Sequence, residues 1–104
     1  MALKRLKEKT TKDVLWIYIL SLLKEKDMYA YEIRDEIYRK FGFKPARITS
    51  YVVLYRLEKE GFVNSYWKGD RKYYSINLKG KKLLDEGIKY LKGMIEKISG
   101  KPFN

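Results

Sequence analysis

Ser50–Tyr74, SYVVLYRLEKEGFVNSYWKGDRKYY, decides how the rest of this 104-residue chain is read. Its first half has helical spacing, with Tyr51, Leu54 and Leu57 on one stripe, within a helix expected at about 47–60. Gly61 supplies the left-handed stop that ends such a helix. Phe62–Trp67 and Lys72–Asn77 have the β-branched and aromatic composition of strands. Lys68-Gly69-Asp70-Arg71 between them is turn chemistry. A helix delivered against a basic two-stranded wing is an arrangement by which small proteins read duplex DNA.

Upstream, Lys44-Pro45 predicts an extended connection, because the residue before proline avoids helical geometry. Gly42 closes a helix expected at about 30–41, with Ile33, Ile37 and Phe41 inward and Arg34, Asp35, Glu36 and Arg39 outward. Lys24–Met28 reads as a charged break. The segment 12–25 is apolar on nearly every face, with Thr10 or Thr11 expected as its N-cap and Asp13 in its first turn. A domain this small rarely covers such a helix alone, so a partner subunit is expected against it. Met1–Lys12 carries Lys4, Arg5, Lys7, Lys9 and Lys12, and reads either as a basic arm on DNA or as an extension of the first helix at a dimer joint. Its two leucines, Leu3 and Leu6, form too narrow a face for a membrane-surface helix.

Downstream, Asn77 is expected to cap a last helix of about 78–98. Leu84, Ile88, Leu91, Ile95 and Ile98 recur in it at spacings of four, three, four and three, a heptad seam. The plainer alternative is a helix packed on its own domain. Gly80, Gly87 and Gly93 weaken that helix in isolation, which argues that packing holds it. The predicted order is helix, helix, helix, hairpin, helix. Residues 1–77 form the winged unit, with 1–11 as its basic arm or helix extension, 78–100 the pairing helix and 101–104 a tail.

Composition narrows the functions. There are 24 Lys and Arg against 13 Asp and Glu, a net charge of +11, which favours a polyanionic partner. Without cysteine or histidine the chain has no disulfide, thiol nucleophile, Cys/His zinc site or histidine base. No phosphate-cradling glycine loop is present either, so an enzyme is the weakest reading and no cofactor is expected. The absence of Gln, with abundant Lys, Glu and Ile, resembles the bias of proteins from hot environments. The longest apolar run, Val14–Leu20, is too short to span a bilayer, and nothing resembles a secretory signal; a cytoplasmic protein is expected.

The order of elements, together with Tyr29-Ala-Tyr31-Glu32-Ile33, Thr49-Ser-Tyr51-Val-Val-Leu54-Tyr-Arg-Leu57-Glu-Lys-Glu-Gly61 and Arg71-Lys-Tyr-Tyr74-Ser-Ile76-Asn77-Leu-Lys-Gly80, resembles the PadR family of winged helix-turn-helix transcription regulators. The likeness spans most of residues 14–84. It departs at Ala30, where the family usually has glycine, at Val52, where proline is common, and at Asn77, which replaces threonine but keeps the capping role. The likeness implies a mainly α fold with a β-hairpin wing and a homodimer joined by its first and last helices. It further implies double-stranded DNA as partner, a palindromic operator with two copies of the reading helix in successive major grooves, and often repression. For part of the family it also implies release of DNA by a small aromatic effector.

Residue by residue, the reading helix offers Arg47, Thr49 and Ser50 at its first turn, where a helix meets base edges and phosphates; the alternative for Thr49 or Ser50 is a plain N-cap. Tyr51 is expected to pack inward with its hydroxyl toward a phosphate, Arg56 to lie on the flank and Lys44 to serve the approach. Lys68, Arg71 and Lys72 carry the wing, while Trp67, Tyr73 and Tyr74 are read as packing residues rather than a base-stacking platform. Trp16, Leu84, Ile88, Leu91, Ile95 and Ile98 are the candidate dimer interface. The rival function is a winged-helix protein-interaction module without direct DNA readout, for which Thr49, Ser50 and Arg71 would be dispensable.

Overall fold

A computed structural model describes residues 1–103 of the chain. These hold α1 (Ala2–Lys9), α2 (Leu15–Glu25), β1 (Met28–Tyr29), α3 (Ala30–Phe41), α4 (Arg47–Lys59), β2 (Val63–Lys68), β3 (Arg71–Ile76) and α5 (Leu78–Ser99). This is the expected winged helix-turn-helix, mainly α with a hairpin wing, with two corrections in the first third.

The basic N-terminal segment is a helix of its own. Thr10 and Thr11 do not cap the start of α2; their hydroxyls donate back to α1, to Leu6 O at 2.8 Å and Glu8 O at 2.9 Å. The last carbonyls of a helix lack internal partners, and adjacent hydroxyls are well placed to fill them. Asp13 pairs with Lys9 at 3.5 Å, and the Tyr18 hydroxyl donates to Thr10 O at 2.6 Å, tying the turn between the helices to α2. The second correction lies in the stretch read as a charged break. Met28 and Tyr29 pair with Tyr74 and Tyr73, which makes a three-stranded antiparallel sheet in the order β1-β3-β2.

The core gathers on α2. Leu15, Ile19, Leu20, Leu22 and Leu23 are buried among Ile33 and Ile37 of α3, Leu54 and Leu57 of α4, and Met28, Val63, Tyr74 and Leu84. The chain thus covers most of this helix itself, leaving only Trp16, Ile17 and Tyr18 partly exposed among its large apolar side chains. On α4 Leu54 and Leu57 face inward as expected, but the third member of the buried stripe is Ser50 and not Tyr51. Phe41 is exposed rather than core, edge-on to Tyr18 with ring centroids 4.9 Å apart.

The joints that place α4 and α5 follow from short local signals. Phe62 N–H reaches Leu57 O at 2.8 Å and Gly61 N–H reaches Glu58 O at 3.0 Å, a Schellman close that requires the left-handed φ of +85° at Gly61. Asn77 caps α5 as expected, its Oδ1 accepting from Gly80 N–H at 2.9 Å, while its amide donates to Gly61 O at 2.8 Å. A Cβ at Gly80 would run into the Phe62 carbonyl, and one at Gly87 would lie 2.9 Å from Trp16 Cη2. Two of the three glycines of α5 therefore let it approach its own domain, whereas Gly93 faces open space. Leu84 is 1% exposed, and beyond Gly87 the apolar side chains of α5 are largely in water.

Candidate nucleic-acid interface

The start of α4 is held by its approach. Arg34 Nε donates to Pro45 O at 3.1 Å, which steadies the extended connection that the proline imposes. Ala46 is the N-cap and offers no side-chain acceptor. The first-turn N–H groups, which a helix leaves without internal partners, therefore face outward with the positive end of the helix dipole. Around them Lys44 Nζ sits 5.7 Å from the Tyr31 ring centroid and the Arg47 guanidinium 5.9 Å from that of Tyr51. Arg34 and Arg47 line a concavity with these two tyrosines, and Thr49 is exposed in the same turn of α4 as Arg47.

Two expectations on this turn are corrected. Ser50 is 1% exposed and its hydroxyl donates to Ala46 O at 2.9 Å, so it is neither the N-cap nor a surface for DNA. It occupies the core stripe, and its hydroxyl is satisfied by the carbonyl four residues back. Tyr51 is exposed rather than packed inward, with its ring forming one wall of the cleft between α4 and the wing.

The wing is a tight hairpin. β2 and β3 pair from Val63↔Ile76 to Lys68↔Arg71, leaving Gly69-Asp70 as a two-residue loop with Gly69 at φ +64° in its first position. A type II′ loop asks for glycine there, because its twist matches that of the strands. Strand alternation puts Tyr66, Lys68, Arg71 and Tyr73 on one face. Tyr73 stacks on Tyr66 at 5.7 Å and meets Tyr29 edge-on at 5.4 Å. The Arg71 guanidinium lies 4.6 Å over the Tyr29 ring, and Lys68 Nζ lies 5.7 Å over that of Tyr73. The Tyr66 hydroxyl donates to Asp27 Oδ2 at 2.7 Å, and that bond raises the pKa of the phenol.

The other face of the wing turns toward α4. Glu58 of α4 accepts a hydrogen bond from Ser65 Oγ and pairs with Lys72 Nζ at 3.3 Å. The Ser65 bond first, and Lys72 after it, hold the Glu58 carboxyl below its ordinary range against the opposing effect of partial burial. Lys72 thus ties wing to helix, whereas Lys68 and Arg71 are exposed. Tyr74 is buried as expected of a packing residue, but Trp67 is 68% exposed and lines the cleft of about 300 Å³ between Tyr29, Tyr31 and Tyr51 on one side and Arg71 and Lys72 on the other.

The structure brings Tyr51, Arg71 and Lys72 to this cleft and Arg47 to the concavity beside it, with Lys44 over the Tyr31 ring that lines both, while Thr49 and Lys68 are exposed on the first turn of α4 and at the wing tip. Arg56 is not among them. It lines a second cleft of about 440 Å³ with Trp16, Val53, Phe62 and Leu83, between α2, α4 and α5. Of the candidate dimer residues, Leu84 is corrected to the domain's own core, and Trp16 is partly buried under Gly87. Leu91 is half-buried, while Ile88, Ile95 and Ile98 are exposed. Sequence reasoning placed Tyr55 on the flank of α4 with Arg56 but missed that Ile48 and Val52 are exposed with it on the outward face, because the same helix is also apolar inward.

Comparison with known proteins agrees with this geometry. Residues 19–86 match the family model described as the transcriptional regulator PadR-like family. A protein of Lysinibacillus sphaericus is 41% identical over 78 residues, 68% of this chain and 72% of that one. A transcriptional regulator of Clostridium thermocellum superposes with a TM-score of 0.82 at 30% identity, over 88% of this chain and 93% of its own. The PadR of Bacillus subtilis in complex with operator DNA matches at a TM-score of 0.63 and 26% identity, over 72% of this chain and 46% of its own. The chain belongs to the PadR-like family of transcriptional regulators, which are not enzymes.

Proposed function

We propose that this chain binds double-stranded DNA as a homodimer on a palindromic operator and represses transcription. The observation that carries the reading is the rim of exposed cations around the start of α4 and the wing, Lys44, Arg47, Lys68 and Arg71, on a chain of net charge +11. The family match and the likeness to a regulator held on operator DNA support it. Residues 1–77 are the DNA-binding unit and 78–100 the pairing element, its first turns rooted in the core and its outer turns offering Ile88, Leu91, Ile95 and Ile98 to a second copy. Leu3 and Leu6 of α1 are also exposed, which favours the dimer joint for the N-terminal segment. A small aromatic effector would fit the cleft beside Trp16. No described helix is long and apolar enough to cross a membrane, and a DNA-binding regulator works in the cytoplasm.

Gel shift of the full chain at several salt concentrations tests the reading. Affinity for duplex is expected to fall steeply with salt, and no affinity for any duplex at low salt would leave the protein-interaction module as the better account. Replacing Arg71 and Lys72 together by Ala should weaken binding to all sequences and lower the salt slope by about 0.9 for each phosphate that is no longer neutralised.

A further inference from the structure

The outward face of α4 carries apolar side chains where a nucleic-acid-reading helix would display its base contacts. Ile48 is 78% exposed, Val52 46% and Tyr55 61%. Their spacing of four and three puts them on one stripe, opposite the buried Ser50, Leu54 and Leu57. The stripe lies among cations. Arg47 and the approach residue Lys44 stand at one end, Lys59 at the other with its Nζ 5.7 Å over the Tyr55 ring, and Arg56 on the flank. Such a border is complementary to a polyanion.

The side chains available on this helix restrict how a base could be recognised. Adenine is read by the bidentate amides of Asn or Gln, yet the whole chain has no Gln, and its asparagines are Asn64, Asn77 and Asn104, all outside α4. Ser50, the second hydroxyl of the first turn, is buried. What α4 presents to a major groove at its centre is methyl and methylene surface. The one feature of a base edge that such surface recognises is the C5-methyl group of thymine.

We propose that Ile48 and Val52 are specificity-determining residues that read thymine methyl groups in each operator half-site, with Arg47 and Lys44 setting the register on the phosphates. This rests on the duplex-binding reading above. Removing one buried methyl group corresponds to about a fourfold drop in affinity.

The test uses the full chain and the tightest duplex recovered from a random pool. Each thymine of that duplex is replaced in turn by deoxyuridine, which deletes the methyl group and keeps the base pair, and affinity is read by fluorescence anisotropy. Wild type should bind about fourfold more weakly at one or more thymines in each half-site. Ile48→Ala or Val52→Ala should bind the parent duplex more weakly and become indifferent to deoxyuridine at the same thymine. Both side chains are in water, so both variants are expected to fold, which circular dichroism checks. Three results overturn the inference while leaving DNA binding intact: deoxyuridine without effect at every position, an effect that survives in both variants, or a preferred site without thymine. Failure to bind any duplex would instead remove the reading on which it rests.

Discussion

Helices α4 and α5 both leave apolar side chains exposed, on α4 along a stripe opposite the buried one and on α5 along the continuation of the buried one. On α4, Ile48, Val52 and Tyr55 sit among Arg47, Arg56 and Lys59, beside the cationic wing. On α5, Ile88, Leu91, Ile95 and Ile98 continue the heptad that begins at the buried Leu84. An apolar stripe bordered by cations matches a polyanion with methyl groups on its floor, and one that extends a core seam matches another helix. Exposed hydrophobicity alone does not identify a partner; whether it opposes or extends the buried seam separates these two helices.

The largest expected effect concerns the buried side of each helix. Leu54→Ala and Leu84→Ala should each destabilise the protein by about 2–5 kcal/mol in chemical denaturation. Ile48→Ala should stay within about 0.5 kcal/mol of wild type. If Leu84→Ala left stability unchanged and altered only assembly, α5 would not be rooted in the core and the contrast would collapse. Next comes the exposed side of α5. If the chain pairs through α5 as proposed, Leu91→Lys should convert dimer to monomer in sedimentation velocity, whereas Ile48→Ala should leave it paired; an unchanged Leu91→Lys dimer would place the joint elsewhere.

The smallest effect is expected where α4 meets the wing. The Glu58 pKa is lowered in the folded protein, so its contribution is whole above the ordinary carboxylate range and is lost as pH falls through the lowered value. Thermal unfolding at neutral and acid pH should therefore show a smaller acid-induced loss in Glu58→Gln than in wild type. Equal losses in both would mean that the Ser65 and Lys72 interactions contribute nothing to holding the wing.

The parts legible in the sequence are those with a local cause. Gly61 stops α4, Gly69 turns the wing and Asn77 caps α5, each through backbone geometry or one short hydrogen bond, so α3, α4, the hairpin and α5 lie within a residue or two of their expected bounds. β1 is not legible, because two residues carry no alternation and Met28 is a strand residue only through its pairing with Tyr74. Thr10 and Thr11 are compatible with the start of one helix or the end of another, and the hydrogen bonds to Leu6 and Glu8 decide for the end. The burial of Ser50 is not legible either. Leu54 and Leu57 mark the inward side of α4 as expected, but hydropathy ranks Tyr51 above Ser50 as their neighbour, and only the packing of the domain reverses that order.

The sequence by itself determined the winged helix-turn-helix, the basic character of the helix start and wing, and the kinship with PadR-like regulators, since all three rest on local backbone signals, formal charge and motif order. Only the tertiary structure decided that Ser50 belongs to the core and Tyr51 to the cleft, that Lys72 is tied to Glu58 while Arg71 is exposed at the rim, and that Leu84 serves its own domain. Burial and pairing are relations between segments distant along the chain. A residue's type sets what it can do; packing against those segments sets which side of the molecule it does it on.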